Sequence, residues 1–112
     1  MTEVVYEKNN ESHDICVFGH CNAGRINGLD LCCCAVSMLV FTMLDSLRKL
    51  NLNNFCHSYG GGWCHVKFSN SSHDTEKAKC ILETIMNGFS LLEKRYPSNV
   101  KVIIKEKEVI NV

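Results

Sequence analysis

No charged residue interrupts the chain between Asp30 and Asp45, and this apolar run constrains the fold more than any other feature. It is too long for one strand of usual length, about 5–6 residues. Val36, Leu39, Val40, Met43 and Leu44, continued by Leu47 and Leu50, recur at helical spacing. The pattern predicts a helix over residues 31–50, apolar around much of its circumference and so largely buried. A membrane span needs roughly 20 apolar residues, more than the uncharged run offers, so no membrane partner is expected. The helix then belongs to a core, and the rest of the chain must supply a surface to cover it.

The flanking segments read as strands. Residues 2–8 alternate around Val4, Val5 and Tyr6, Asn9-Asn10-Glu11-Ser12 has turn composition, and residues 13–19 form the second arm of a hairpin. Beyond the helix, Asn51 to Asn54 is turn-prone. Residues 55–59 and 63–69 read as a second hairpin around Gly60-Gly61-Gly62. A polar loop ending in Ser72 and Asp74, either of them a candidate cap, leads to a second helix over residues 75–96. Ala78, Ile81, Leu82, Ile85, Phe89, Leu92 and Tyr96 line one face of that helix, and Pro97 stops it. A last strand is expected over residues 100–105, with the charged stretch Lys105-Glu106-Lys107-Glu108 at an edge or tail. The order β-β-α-β-β-α-β predicts an α+β fold, a mostly antiparallel sheet with two helices packed on one face. The bare face, or an edge strand, is then open to a second copy.

At 112 residues the chain is expected to form one domain, residues 1–112. Twelve basic and twelve acidic side chains balance, which gives no electrostatic reason for direct nucleic-acid binding. The first residues, Met1 to Lys8, include acids and lack the pattern of an export signal, so a cytoplasmic location is expected. With that location, and with Cys16, Cys33, Cys34 and Cys80 in apolar stretches, the eight cysteines read as reduced, packed thiols rather than a disulfide framework.

The chemistry concentrates between Gly19 and Ser37, GHCNAGRINGLDLCCCAVS. A strand delivers Gly19-His20, a loop with Gly24 and Gly28 follows, and Asp30 stands where a helix cap is expected. Cys32 and Cys33 then fall in the first turn and Cys34 just beyond it. Unpaired N–H groups and the helix dipole favour negative charge there, so a thiol in that turn ionises more readily, and an imidazole from His20 helps. This is the arrangement of a cysteine nucleophile with a histidine base. Capping alone leaves all three cysteines as candidates. Ser37, one turn beyond Cys33, either bonds back to a helix carbonyl or lines the same pocket.

The stretch resembles the ribosomal-processing cysteine proteases of bacteria, whose pattern is a Gly-His pair, a Gly-containing loop and then G-x-D-x-x-C-A-x-x-S. Anchoring on Gly28, Asp30 and Ser37 together places that family's cysteine on Cys33 and its histidine on His20. Cys34 replaces the usual Ala, and the loop is one residue longer than usual. The extra residue lets Cys32 claim the usual spacing from His20, but Asp30 and Ser37 then lose register. Gly61-Gly62-Trp63-Cys64-His65-Val66 is similar to a strand start in the family, which implies that His65 lies near the site.

The resemblance implies a homodimeric cysteine endopeptidase without a cofactor. Its implied substrate is the N-terminal extension of large-subunit ribosomal protein number twenty-seven, cut after an aromatic pair, so that an apolar groove is expected near the loop. In that reading Cys33 attacks the scissile carbonyl, N–H groups of the first helix hold the oxyanion, His20 moves the proton, Asp30 and Ser37 support them, and Gly24 and Gly28 hinge a substrate loop. Trp63 reads mainly as a packing residue. The pairs Cys56-His57, Cys64-His65 and His20-Cys21 invite a zinc reading, but adjacent strand residues point to opposite faces, and no metal is assigned. The competing functional class is a ribosome-associated or redox- or metal-responsive binding module without protease activity.

Overall fold

The first hairpin is fixed by its turn. In the computed structural model, which describes residues 1–107, the Asn9 side-chain oxygen accepts from the N–H groups of Glu11 and Ser12 at 2.7 and 2.8 Å. This aligns β1 (Thr2–Lys8) with β2 (Ser12–Phe18), so that Val4 lies opposite Val17 and Tyr6 opposite Ile15. The helix α1 (Leu31–Arg48) follows, then the hairpin β3 (Cys56–Gly60) and β4 (Trp63–Ser69), the helix α2 (Thr75–Arg95) and β5 (Val100–Glu106).

The five strands run in the order β3-β4-β2-β1-β5. All neighbours are antiparallel except β1 and β5, which run parallel because α2 carries the chain back across the sheet. The expected α+β architecture holds. Val4, Tyr6, Ile15, Val17, Val66 and Phe68 face inward and meet Val40, Met43, Leu44 and Leu47 of α1 and Leu82, Ile85 and Phe89 of α2. Gly88 lets the helices close up, since a Cβ there would stand 2.7 Å from Leu39 Cδ2. One polar island sits in this core. The His13 ring is 3% exposed, stacks on Phe68, and bonds through Nδ1 to the Tyr6 hydroxyl at 2.7 Å and through Nε2 to Asn70 at 2.8 Å. Burial holds His13 below the usual imidazole range and pushes the Tyr6 phenol up to about 12.

Several expectations need correction. The first helix ends at Arg48 rather than residue 50, and the second at Arg95 rather than residue 96. The first helix is not largely buried: Leu31, Met38 and Phe41 are each more than half exposed, so only one side serves the core. By length and composition α1 would pass for a membrane span, yet that side is filled by sheet and α2. Cys34 and Cys80 are exposed and Cys16 and Cys33 half-buried, so apolar neighbours in sequence do not imply core thiols. Cys21, Cys32 and Cys64 are the buried ones, and all eight cysteines are free. Asp74 takes the cap position of α2 without a side-chain cap bond, because its carboxylate instead accepts from the Asn51 N–H at 2.7 Å. Of the charged tail stretch, Lys105 and Glu106 complete the edge strand β5, while Glu108 lies outside the described residues.

Candidate active site

Two hairpin ends and one helix start meet at the same corner of the sheet. β2 leaves the sheet through Gly19, whose φ of +93° suits glycine and whose Cβ position is filled by the Met1 carbonyl. The Gly19 N–H donates to the Gly62 carbonyl at 2.8 Å, tying this exit to the β3–β4 turn. Gly62, itself at φ +81°, lies under the His20 ring, and a Cβ there would stand 2.8 Å from Nε2. His20 is thereby set beside the turn without a side chain in between.

Asp30 caps α1 as the sequence predicts. Its Oδ1 accepts from the Cys33 N–H at 3.1 Å, while Oδ2 accepts from the Ala23 N–H at 3.0 Å. Those backbone bonds, that from Cys33 foremost, hold its carboxyl below the usual range. The loop before it is pinned rather than loose. Asn99 donates to the carbonyls of Cys21 and Asn22 at 2.9 and 3.2 Å, and Ile26 and Leu29 pair across an Asn27-Gly28 turn. Asn27 and Gly28 have φ of 53° and 80°, the Asn-Gly chemistry of a type I′ turn. Gly24 and Gly28 have open space around them.

The cap sorts the three cysteines. Cys32 points inward, fully buried with Cys21 and Val100. Cys34 points to solvent. Cys33 alone of the three lines the two hollows that His20 also lines. One, of about 190 Å³, is bounded by Val36, Val40, Phe41, Tyr59 and Trp63, with Ser37 beside Cys33. The other is polar, bounded by Asn22, Gly24, Arg25 and Asp30. Phe41 and Tyr59 meet edge to face at 5.5 Å, and Trp63 is 47% exposed, so it walls the hollow rather than packing in the core. The aromatic wall draws on Tyr59 of β3, Trp63 of β4 and Phe41 of α1, three residues that only the fold brings together. Sequence reasoning places Gly62 in the hairpin turn and in a family-like strand start, but not as the seat of the His20 ring.

Two expectations about the thiol need qualification. Burial, with the Cys21 thiol and the Asp30 carboxylate nearby, pushes the Cys33 thiol up rather than down, against a smaller lowering influence of the Cys21 backbone. The helix-start N–H groups of Cys33 and Cys34 are already bonded to Asp30, so they are not free for an oxyanion. The cap and a thiolate compete for one positive helix end. His65 is also not at the site. It lies on the bare face of the sheet, 2.9 Å from Asp14 Oδ1.

A thiol and an imidazole on the shared wall of an apolar and a polar hollow suit acyl transfer from a peptide. The family model for cysteine protease Prp matches residues 1–101. This chain belongs to the Prp cysteine proteases. A crystal structure described as an essential ribosomal processing protease Prp from S. aureus, with a covalently linked product peptide, superposes with a TM-score of 0.77 at 25% identity, covering 94% of this chain and 100% of that one. The S. aureus protease with a substrate peptide (TM-score 0.69, 23% identity, 94% and 100% covered) and SMU.848 from Streptococcus mutans (0.68, 22%, 96% and 96%) share the fold. A search of curated proteins finds no match. As a Prp protease the chain is a cysteine peptidase, and the non-enzymatic reading falls.

Proposed function

We propose that this Prp protease removes the N-terminal extension of large-subunit ribosomal protein number twenty-seven, with Cys33 as nucleophile and His20 as base. The observation that carries the assignment is the shared wall: Cys33 and His20 are the two residues that line both hollows. Neither Cys32, buried, nor Cys34, turned to solvent, meets His20 there.

In this mechanism Cys33 gives its S–H proton to His20 as the sulfur attacks the scissile carbonyl carbon. The C–N bond then breaks, His20 returns the proton to the leaving amine, and a thioester remains. Water, deprotonated by His20, attacks the thioester; the acid departs and the Cys33 thiol is restored. The apolar hollow, with Phe41, Tyr59 and Trp63, suits the aromatic pair before the cut, and the polar hollow with Arg25 and Asp30 takes the chain beyond it. Ser37 lines the apolar side. The substrate loop carries Gly24, which lines the polar side, and Gly28, in the turn beyond it. The protease acts in the cytoplasm, where ribosomes assemble, and as a homodimer.

The test is cleavage of a peptide spanning the host's extension, read by mass spectrometry. A single cut retained in Cys32→Ala but lost in Cys33→Ala and His20→Ala supports the assignment. Loss in Cys32→Ala with activity in Cys33→Ala would refute the register, and no cut by folded wild type would refute the substrate. Light scattering that gives a monomer mass across micromolar concentrations would refute the dimer.

A further inference from the structure

The bare face of the sheet carries a second cluster of reactive side chains that the protease chemistry does not use. Asp14 and Cys16 stand two apart on β2, so their side chains leave the same face. His65 lies directly opposite Cys16 on β4. The three residues thus occupy adjoining corners of one pleated patch, fixed by the register of two internal strands. His65 Nε2 is 2.9 Å from Asp14 Oδ1, the Cys16 sulfur is 3.8 Å from the same oxygen, and all three donor atoms lie within 4.8 Å of one another.

We propose that Asp14, Cys16 and His65 form a binding site for a divalent cation of the zinc class. A tetrahedral zinc takes thiolate sulfur at about 2.3 Å and imidazole nitrogen and carboxylate oxygen at about 2.0–2.2 Å. Two such ligands on one ion stand roughly 3.3–3.6 Å apart by that geometry. The spacings here reach this with shifts well under 1 Å for the pairs at 2.9 and 3.8 Å. The donor set fits as well: one sulfur, one nitrogen and one oxygen suit zinc or cobalt better than the hard cations, which prefer oxygen alone. A thiolate and a carboxylate together neutralise the dication. The His65 and Asp14 side chains are 40% and 27% exposed, which leaves a path for the ion and a fourth position facing solvent. On β1, Glu7 lies opposite Asp14 and adds a nearby carboxylate, while Lys67 lies opposite Asp14 on β4. Bound there, the ion clamps β2 to β4, the two strands whose ends present His20 and Gly62.

The experiment is a cobalt(II) titration of the full chain carrying Cys33→Ala, which removes the active-site thiol as a competitor. The readout is the thiolate-to-cobalt charge-transfer band together with the visible bands of a tetrahedral ion. The expected result is one cobalt per chain, displaced by zinc, with the charge-transfer band abolished by Cys16→Ser and affinity at least tenfold weaker in His65→Gln and Asp14→Asn. The apo variants are checked for an unchanged circular dichroism spectrum and melting temperature. Absence of the charge-transfer band in the parent, or a titration unchanged by Cys16→Ser and His65→Gln in folded protein, would overturn the site and leave an ordinary surface ion pair beside a thiol.

Discussion

Gly62→Ala separates the position of His20 from the stability of the fold. The added Cβ would stand 2.8 Å from Nε2 and 3.1 Å from Cε1, against ordinary contacts of about 3.5–4.0 Å. The ring must therefore move by roughly 0.7 Å or more, or the turn must open. The backbone at φ +81° adds strain of about 1–2 kcal/mol for a residue with a Cβ. For a domain of this size that lowers the melting temperature by roughly 4–16 °C, at about 4–8 °C per kcal/mol. Displacement of a catalytic group by about 1 Å costs on the order of 10²-fold in rate. The expected result is a kcat/KM down by about two orders of magnitude, about 2.7 kcal/mol, in protein that is folded at assay temperature. Gly61→Ala is the control, since a Cβ there meets nothing within 4 Å and its φ is not positive. Peptide cleavage by the folded Gly62→Ala variant within about twofold of the Gly61→Ala rate would refute the claim that this turn positions the base.

Two further outcomes follow from buried groups. Cys32→Ser places a hydroxyl at a fully buried site beside Cys21 and Val100, so a stability loss of about 1–3 kcal/mol is expected in denaturant melts, with peptide cleavage per folded molecule retained. His13 is held below the ordinary imidazole range by burial, so the unfolded chain binds its proton more readily than the folded one. Its stabilising contribution is complete above about pH 6.5 and is lost as pH falls below that value, so wild type should lose melting temperature between about pH 7 and 5 more steeply than His13→Gln.

What could be read from the sequence was what neighbours along the chain decide. The switch from period two to period 3.6, the turn residues and Pro97 place seven elements nearly where they stand, because each signal is local. The Asp30 cap was legible for the same reason, being a side chain reaching three residues along its own helix. The parallel pairing of β1 with β5 was not, since a strand carries no mark of its partner. The exposed side of α1 misled because Met38 and Phe41 look the same in sequence whether they face a core or a groove. The helix phase did hold information about the nucleophile: Cys32 lies on the side that buries Val40, Met43 and Leu47, while Cys33 keeps company with Ser37. The upward shift of the thiol comes first from its burial, with the nearby Asp30 charge adding to it, and neither the burial nor that proximity follows from a spacing rule.

That proximity makes Asp30→Asn the most discriminating change at the site. The carboxylate does two separable things. Its charge adds to burial and the Cys21 thiol in pushing the Cys33 thiol up, and its two oxygens tie the helix start to the loop through the Cys33 and Ala23 N–H groups. Asparagine keeps one oxygen for Cys33 but turns a donor toward the Ala23 N–H, so the charge is removed and the loop tie is broken. The Cys33 thiol in the variant should then ionise at lower pH, and iodoacetamide should alkylate it faster than wild type at neutral pH. Peptide cleavage should slow, because the loop between His20 and Asp30 loses an anchor. The two assays are therefore expected to move in opposite directions. Faster cleavage along with faster alkylation would mean that the Asp30 charge alone limits the enzyme and that the loop tie contributes nothing. Slower alkylation would mean that the cap, by ordering the helix start, supports the thiolate more than its charge opposes it.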